Sequence, residues 1–102
     1  MPWVNVTAAD ALQPGRSMKV EAESRNYALH NVGGTFYCTS NICPHQGLPI
    51  HGGALEGPHL VCPWHAWVMD VTTGRCPFIP KASIPCFPVK VEGGQVFIEV
   101  HA

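Results

Sequence analysis

Apolar and polar residues alternate along this chain in short runs, and no stretch holds a helical period over three turns. Trp3-Val4-Asn5-Val6 opens with the two-residue repeat of a strand that buries one face. Met18-Lys19-Val20-Glu21 repeats it beyond the turn signal Pro14-Gly15. Residues 27–32 and 35–39 flank Gly33-Gly34, a two-residue loop suited to positive φ, and read as a hairpin. Leu60-Val61 and Trp67-Val68-Met69-Asp70 are further short strands, and Thr72-Thr73-Gly74 turns the chain. Residues 84–91 read as one strand, joined through Glu92-Gly93-Gly94-Gln95 to a last strand over 96–100.

Composition sharpens this pattern into a fold class. Ten Gly and ten Pro among 102 residues supply the tight turns that an all-β fold needs. No repeat or linker divides the chain, and its length suffices to bury a core, so residues 1–102 read as a single domain. Hydrophobic residues at 46% against 13% charged exclude a disordered chain. A net charge of −1 leaves no basic footprint for nucleic acid or anionic lipid. No apolar stretch is long enough to span a bilayer, and the first residues lack the order of a signal peptide. The expectation is a cytoplasmic protein with neither nucleic-acid nor membrane partners.

Two runs carry the candidate chemistry, Cys43-Pro44-His45 and Cys62-Pro63-Trp64-His65. Each holds one thiol and one imidazole, and sixteen residues separate His45 from Cys62. Both follow strands and so belong on loops, where a rigid scaffold presents functional groups. Residues 46–60 between them, rich in Gly and Pro, look like an insertion. A mononuclear zinc finger pairs its cysteines in one hook and its histidines in another. Mixed hooks suit a binuclear centre instead, with Cys43 and Cys62 on one iron and His45 and His65 on the other. That is the ligand set of a Rieske [2Fe–2S] centre. A single zinc on the same four residues is the competing reading, since the ligand types match although their order does not. A Cys-x-x-Cys redox motif is ruled out, because the second run has only one cysteine.

The pattern Cys-x-His, sixteen residues, Cys-x-x-His closely resembles the Rieske family signature. The resemblance implies an antiparallel β-sandwich base with a small cluster-binding subdomain of two hairpins, at about 42–80. It also implies one [2Fe–2S] cluster bound by Cys43, His45, Cys62 and His65. The chain departs from the respiratory members, which carry an extra cysteine in each loop and a serine and a tyrosine near the second histidine. Leu48 and Trp64 stand at the former positions, so no bridge can clamp the loops; Trp67 and Met69 stand at the latter and offer no hydroxyl. Fewer donors to sulfur lower the potential, towards roughly −150 mV at the low end of the Rieske range. Pro44 and Pro63 would set the path of each loop. Gly47, Gly52 and Gly53 are candidates for positive φ or for backbone passing close to the cluster. Leu48, Pro49, Trp64, Trp67, Pro77 and Phe78 can form either a docking rim or a shield around the cluster edge.

These departures make the chain similar to the soluble ferredoxin components of bacterial ring-hydroxylating dioxygenases. The implied role is a monomeric one-electron carrier between a flavin-dependent reductase and a terminal oxygenase. No catalytic triad, mononuclear iron set or phosphate loop is visible, so the chain reads as a carrier without its own reaction. The runs at 67–74 and 87–91 also resemble the small subunit of assimilatory NAD(P)H nitrite reductase, which stays as the alternative. Cys38, Cys76 and Cys86 read as small buried hydrophobes, with a Cys76–Cys86 bridge conceivable. His30, His51, His59 and His101 lack partner spacing and read as surface residues.

Overall fold

The computed structural model describes residues 3–41, 50–61, 68–76 and 83–100. The four candidate ligands Cys43, His45, Cys62 and His65 lie outside the described residues. So do Pro44, Gly47, Leu48, Pro49, Pro63, Trp64, Trp67, Pro77, Phe78 and His101.

Three antiparallel sheets account for the described strands, as an all-β reading requires. The first joins the two ends of the chain in the order β1 (Trp3–Ala8), β10 (Gln95–Glu99), β9 (Val89–Glu92). The second runs β2 (Arg16–Ala22), β3 (Arg25–Val32), β4 (Thr35–Ser40), β8 (Cys86–Phe87). The third is small: β5 (Ala54–Glu56), β6 (His59–Val61), β7 (Val68–Asp70). One short 3₁₀ turn, Ala9–Ala11, follows β1.

The second sheet is the middle layer, because β3 is buried on both faces from Tyr27 through Asn31. Period-two geometry sends Tyr27 and Leu29 one way and Ala28 and His30 the other. On the first face, Leu29 and its cross-strand neighbour Cys38 pack with Val20 of β2 and with Val96 and Ile98 from the terminal sheet. Tyr27 meets Phe87 edge to face, with ring centroids 4.9 Å apart. On the second face, Ala28 packs with Ile50, Leu60, Met69, Val71, Cys76 and Ile84. That second core seats the small sheet on the middle one.

The Gly33-Gly34 hairpin forms as expected, with φ of 60° and 100°. An unexpected one joins β2 to β3, where Glu23 and Ser24 take φ of 50° and 68° with no glycine to ease them.

Several expectations are corrected. Residues 84–91 are not one strand: the ladder breaks at Pro88, with Cys86 and Phe87 paired to β4 and Val89 onward paired to β10. Proline has no N–H to continue a ladder, and the chain uses that break to change sheets. The supposed insertion at 46–60 contains β5 and most of β6. Cys38 and Cys76 are buried as expected, whereas Cys86 is an exposed free thiol at the edge of the middle sheet, so no Cys76–Cys86 bridge forms. His30 is fully buried and His51 half-buried, because each meets polar partners from distant strands or loops; of these three described histidines, His59 is exposed as expected. Gly52 does not take positive φ.

Candidate iron–sulfur site

The described residues frame both candidate ligand segments at their ends. Residues 42–49 connect Asn41, just past β4, to Ile50; residues 62–67 connect β6 to β7. The second segment is closed at its base by the sheet itself, since Val61 pairs with Val68. Among the described residues the first has no strand pairing across its base, and a side chain together with one backbone bond closes it. Asn41, 4% exposed, accepts through Oδ1 from the backbone N–H of Ile50 at 3.2 Å and of His51 at 3.0 Å. Its own carbonyl also accepts from Ile50 N–H at 3.3 Å. Its Nδ2 lies 3.0 Å from His51 Nδ1, which accepts when that imidazole carries its proton on Nε2.

The two bases touch one another. Gly53 N–H donates to the Ile50 carbonyl at 2.9 Å, and a Cβ on Gly53 would collide with the Val61 carbonyl. Ala54 then pairs with Val61. So the exit of the first segment abuts the entrance of the second, with Gly53 at the contact. Covalent reach keeps Cys62 one residue, about 3.8 Å, from Val61, and Cys43 within about 7 Å of Asn41. A donor set of two cysteines and two histidines on adjoining segments fits one small cluster of mixed ligation. After β7 the chain turns on Asp70, whose Oδ1 accepts from Thr72 N–H at 2.9 Å and Thr72 Oγ1–H at 2.6 Å.

A buried polar rung crosses the middle sheet beneath this frame. Thr39 Oγ1 donates to the Ser40 carbonyl at 3.0 Å, which leaves it to accept from His30 Nε2–H at 2.9 Å. His30 Nδ1 then accepts from Ser17 Oγ–H at 2.7 Å. Burial pushes the His30 pKa down to about 4, so the ring is neutral at pH 7. No described buried side-chain N or O lacks a hydrogen-bond partner.

Among the described residues no group of three His, Cys, Asp or Glu side chains could hold a metal. Cys38 and Cys86 fit that finding. Burial, reinforced by nearby Cys86, pushes Cys38 up to about 12. Partial burial, with Asp70 close by, also raises Cys86, whose sulfur lies against Gly74. Metal ligation needs the thiolate, which both sites disfavour. The sequence alone passes over Asn41 and places His51 at the surface, although an Asn two residues before a candidate ligand cysteine is a turn former.

The chain belongs to the Rieske [2Fe–2S] domain family, whose model matches residues 2–88. Its cofactor is accordingly one Rieske cluster with two cysteine and two histidine ligands, which sets the single-zinc reading aside. It is 35% identical to the ferredoxin component of the naphthalene 1,2-dioxygenase system of Pseudomonas aeruginosa, over 96% of this chain and 95% of that one. The fold is that of the Sphingomonas yanoikuyae B1 ferredoxin, with TM-score 0.89, 26% identity, and 98% and 100% of the two chains covered. A complex of reduced oxygenase and oxidized ferredoxin in carbazole 1,9a-dioxygenase gives TM-score 0.85 at 31% identity, over 94% and 91% of the chains.

Proposed function

We propose that this chain is the one-electron carrier of a multicomponent oxygenase system, taking electrons from a flavin-dependent reductase and delivering them to a terminal oxygenase. Cys43 and Cys62 hold one iron and His45 and His65 the other. The carrying observation is that the two Cys/His segments spring from touching bases in a chain similar along its length to dioxygenase ferredoxins. When bound, the cluster supplies a one-electron couple. The chain supplies the frame: the Val61–Val68 pair and the Asn41 side chain close the two segments, and the Leu60–Met69 core beneath excludes water. Neutral imidazoles in place of two thiolates leave the site less negative, so accepting an electron costs less than at an all-cysteine site. Met69 packs in the core and offers no hydroxyl, in keeping with a potential at the low end of the family range.

The protein acts as a monomer of one domain, with its cluster-binding part at about 42–80, in the cytoplasm and without a reaction of its own. Among the described residues no helix is long and apolar enough to cross a membrane. The similarity to dioxygenase ferredoxins favours this reading over the nitrite reductase small subunit. Reconstitution tests it. The purified red-brown protein should be reduced by a flavin reductase and reoxidised by a ring-hydroxylating oxygenase with substrate present. Transfer to a sirohaem nitrite reductase but to no oxygenase would overturn the assignment. Replacing Cys43, His45, Cys62 or His65 singly by Ala should abolish the visible spectrum, and a variant that keeps it is not missing a ligand.

A further inference from the structure

We propose that Asn41 is a positioning residue for the cluster, acting as the clasp of the first ligand segment in place of a β-ladder. The inference rests on the reading that Cys43 and His45 are ligands. Its basis is an asymmetry between the two segments. Residues 62–67 are closed at their base by backbone pairing of β6 with β7, which is independent of side-chain identity. Residues 42–49 are closed at theirs by a single backbone bond, Ile50 N–H to the Asn41 carbonyl, and chiefly by one buried amide that makes three contacts, at Ile50 N, His51 N and His51 Nδ1.

The amide orientation follows from its partners. Two N–H groups converge on Oδ1, so a flipped amide would aim its own N–H₂ at two donors. The requirement is narrow. An acceptor one bond shorter or longer cannot reach both N–H groups from the same backbone position; without the side chain Ile50 N–H keeps only the longer bond to the Asn41 carbonyl, and His51 loses both of its contacts to the amide. The clasp also transmits across the site. Ile50 accepts from Gly53, and Gly53 abuts Val61, the residue before Cys62, so a slack first base changes where the two segments stand relative to each other.

The test uses the intact, cluster-loaded protein. Asn41→Ala should release iron to a chelator about tenfold faster than the parent, with a shifted potential and a broadened EPR spectrum of the reduced state. Asn41→Asp keeps an acceptor for both N–H groups and should restore the EPR line shape and most of the chelator resistance. If Asn41→Ala does not accumulate as folded protein, His51→Ala carries the test: it removes only the third contact and should release iron about threefold faster. A folded Asn41→Ala or His51→Ala protein with parental release rate, potential and EPR line shape overturns the proposal. So does an Asn41→Asp protein as impaired as Asn41→Ala. Cys43→Ala or His45→Ala proteins that keep the parental cluster spectrum would instead sink the ligand assignment, which separates the two failures.

Discussion

The two faces of the middle sheet are built for different purposes. On the first, long ladders meet long ladders: β2 pairs with β3 from Arg16↔Asn31 to Ala22↔Arg25, and branched aliphatics such as Ile98 and Val96 fill the gap to the terminal sheet. On the second, strands of three residues follow residues 42–49 and flank residues 62–67, and side chains supplement the short ladders. Asn41 closes one base, Asp70 turns the chain after β7, and the His30 rung occupies space that aliphatics would fill elsewhere. Backbone pairing with apolar burial gives cooperative stability. Polar side-chain clasps give fixed geometry at little net gain in stability, and they are costly to break. The first face holds the molecule together while the second holds a shape.

The sharpest break in that comparison comes from removing one aliphatic on each side. Ile98→Ala and Leu60→Ala each empty a fully buried site and should cost about 2–5 kcal/mol. Ile98→Ala should lower the unfolding temperature while the potential and EPR spectrum stay parental. Leu60→Ala, on a strand paired with both β5 and β7, should disturb both signals in protein that is still folded. Parental cluster spectra in Leu60→Ala, or altered ones in Ile98→Ala, would erase the division of labour.

Acid titration probes the second face more gently. His30 has its pKa depressed to about 4 in the folded state against about 6.5 unfolded, so below pH 6.5 the unfolded chain binds a proton that the folded chain refuses. Its contribution to stability is thus complete above pH 6.5 and is lost as pH falls towards 4, by about 1.4 kcal/mol per pH unit. Denaturant unfolding of His30→Gln beside the parent should show a pH slope flatter by about one proton in that window. Parallel slopes would mean that His30 is charged in the fold, and the rung as drawn would fail.

The smallest effect concerns the β2–β3 turn, which serves both faces. Glu23→Asn with Ser24→Gly places residues tolerant of positive φ where the turn demands it, and should stabilise by about 1 kcal/mol. A lower unfolding temperature would show that Glu23 or Ser24 makes a contact worth more than the strain.

Much of this was legible in the residues. The alternation at Met18-Lys19-Val20-Glu21, the paired glycines at 33–34 and 93–94 and the two Cys/His runs are local patterns, and local chemistry reads them. They determined most of the strands, two of the hairpins, the all-β class and the family. Other features waited for the tertiary structure. A period of two says that one face is buried, but not against which neighbour, so residues 84–91 looked like one strand until Pro88 was seen to divide them between two sheets. His30 looked like a surface residue because its partners Ser17 and Thr39 come from other strands, and a polar group is buried only where such partners meet it. Asn41 gained its role from Ile50 and His51, nine and ten residues away, which only the fold places within hydrogen-bond reach.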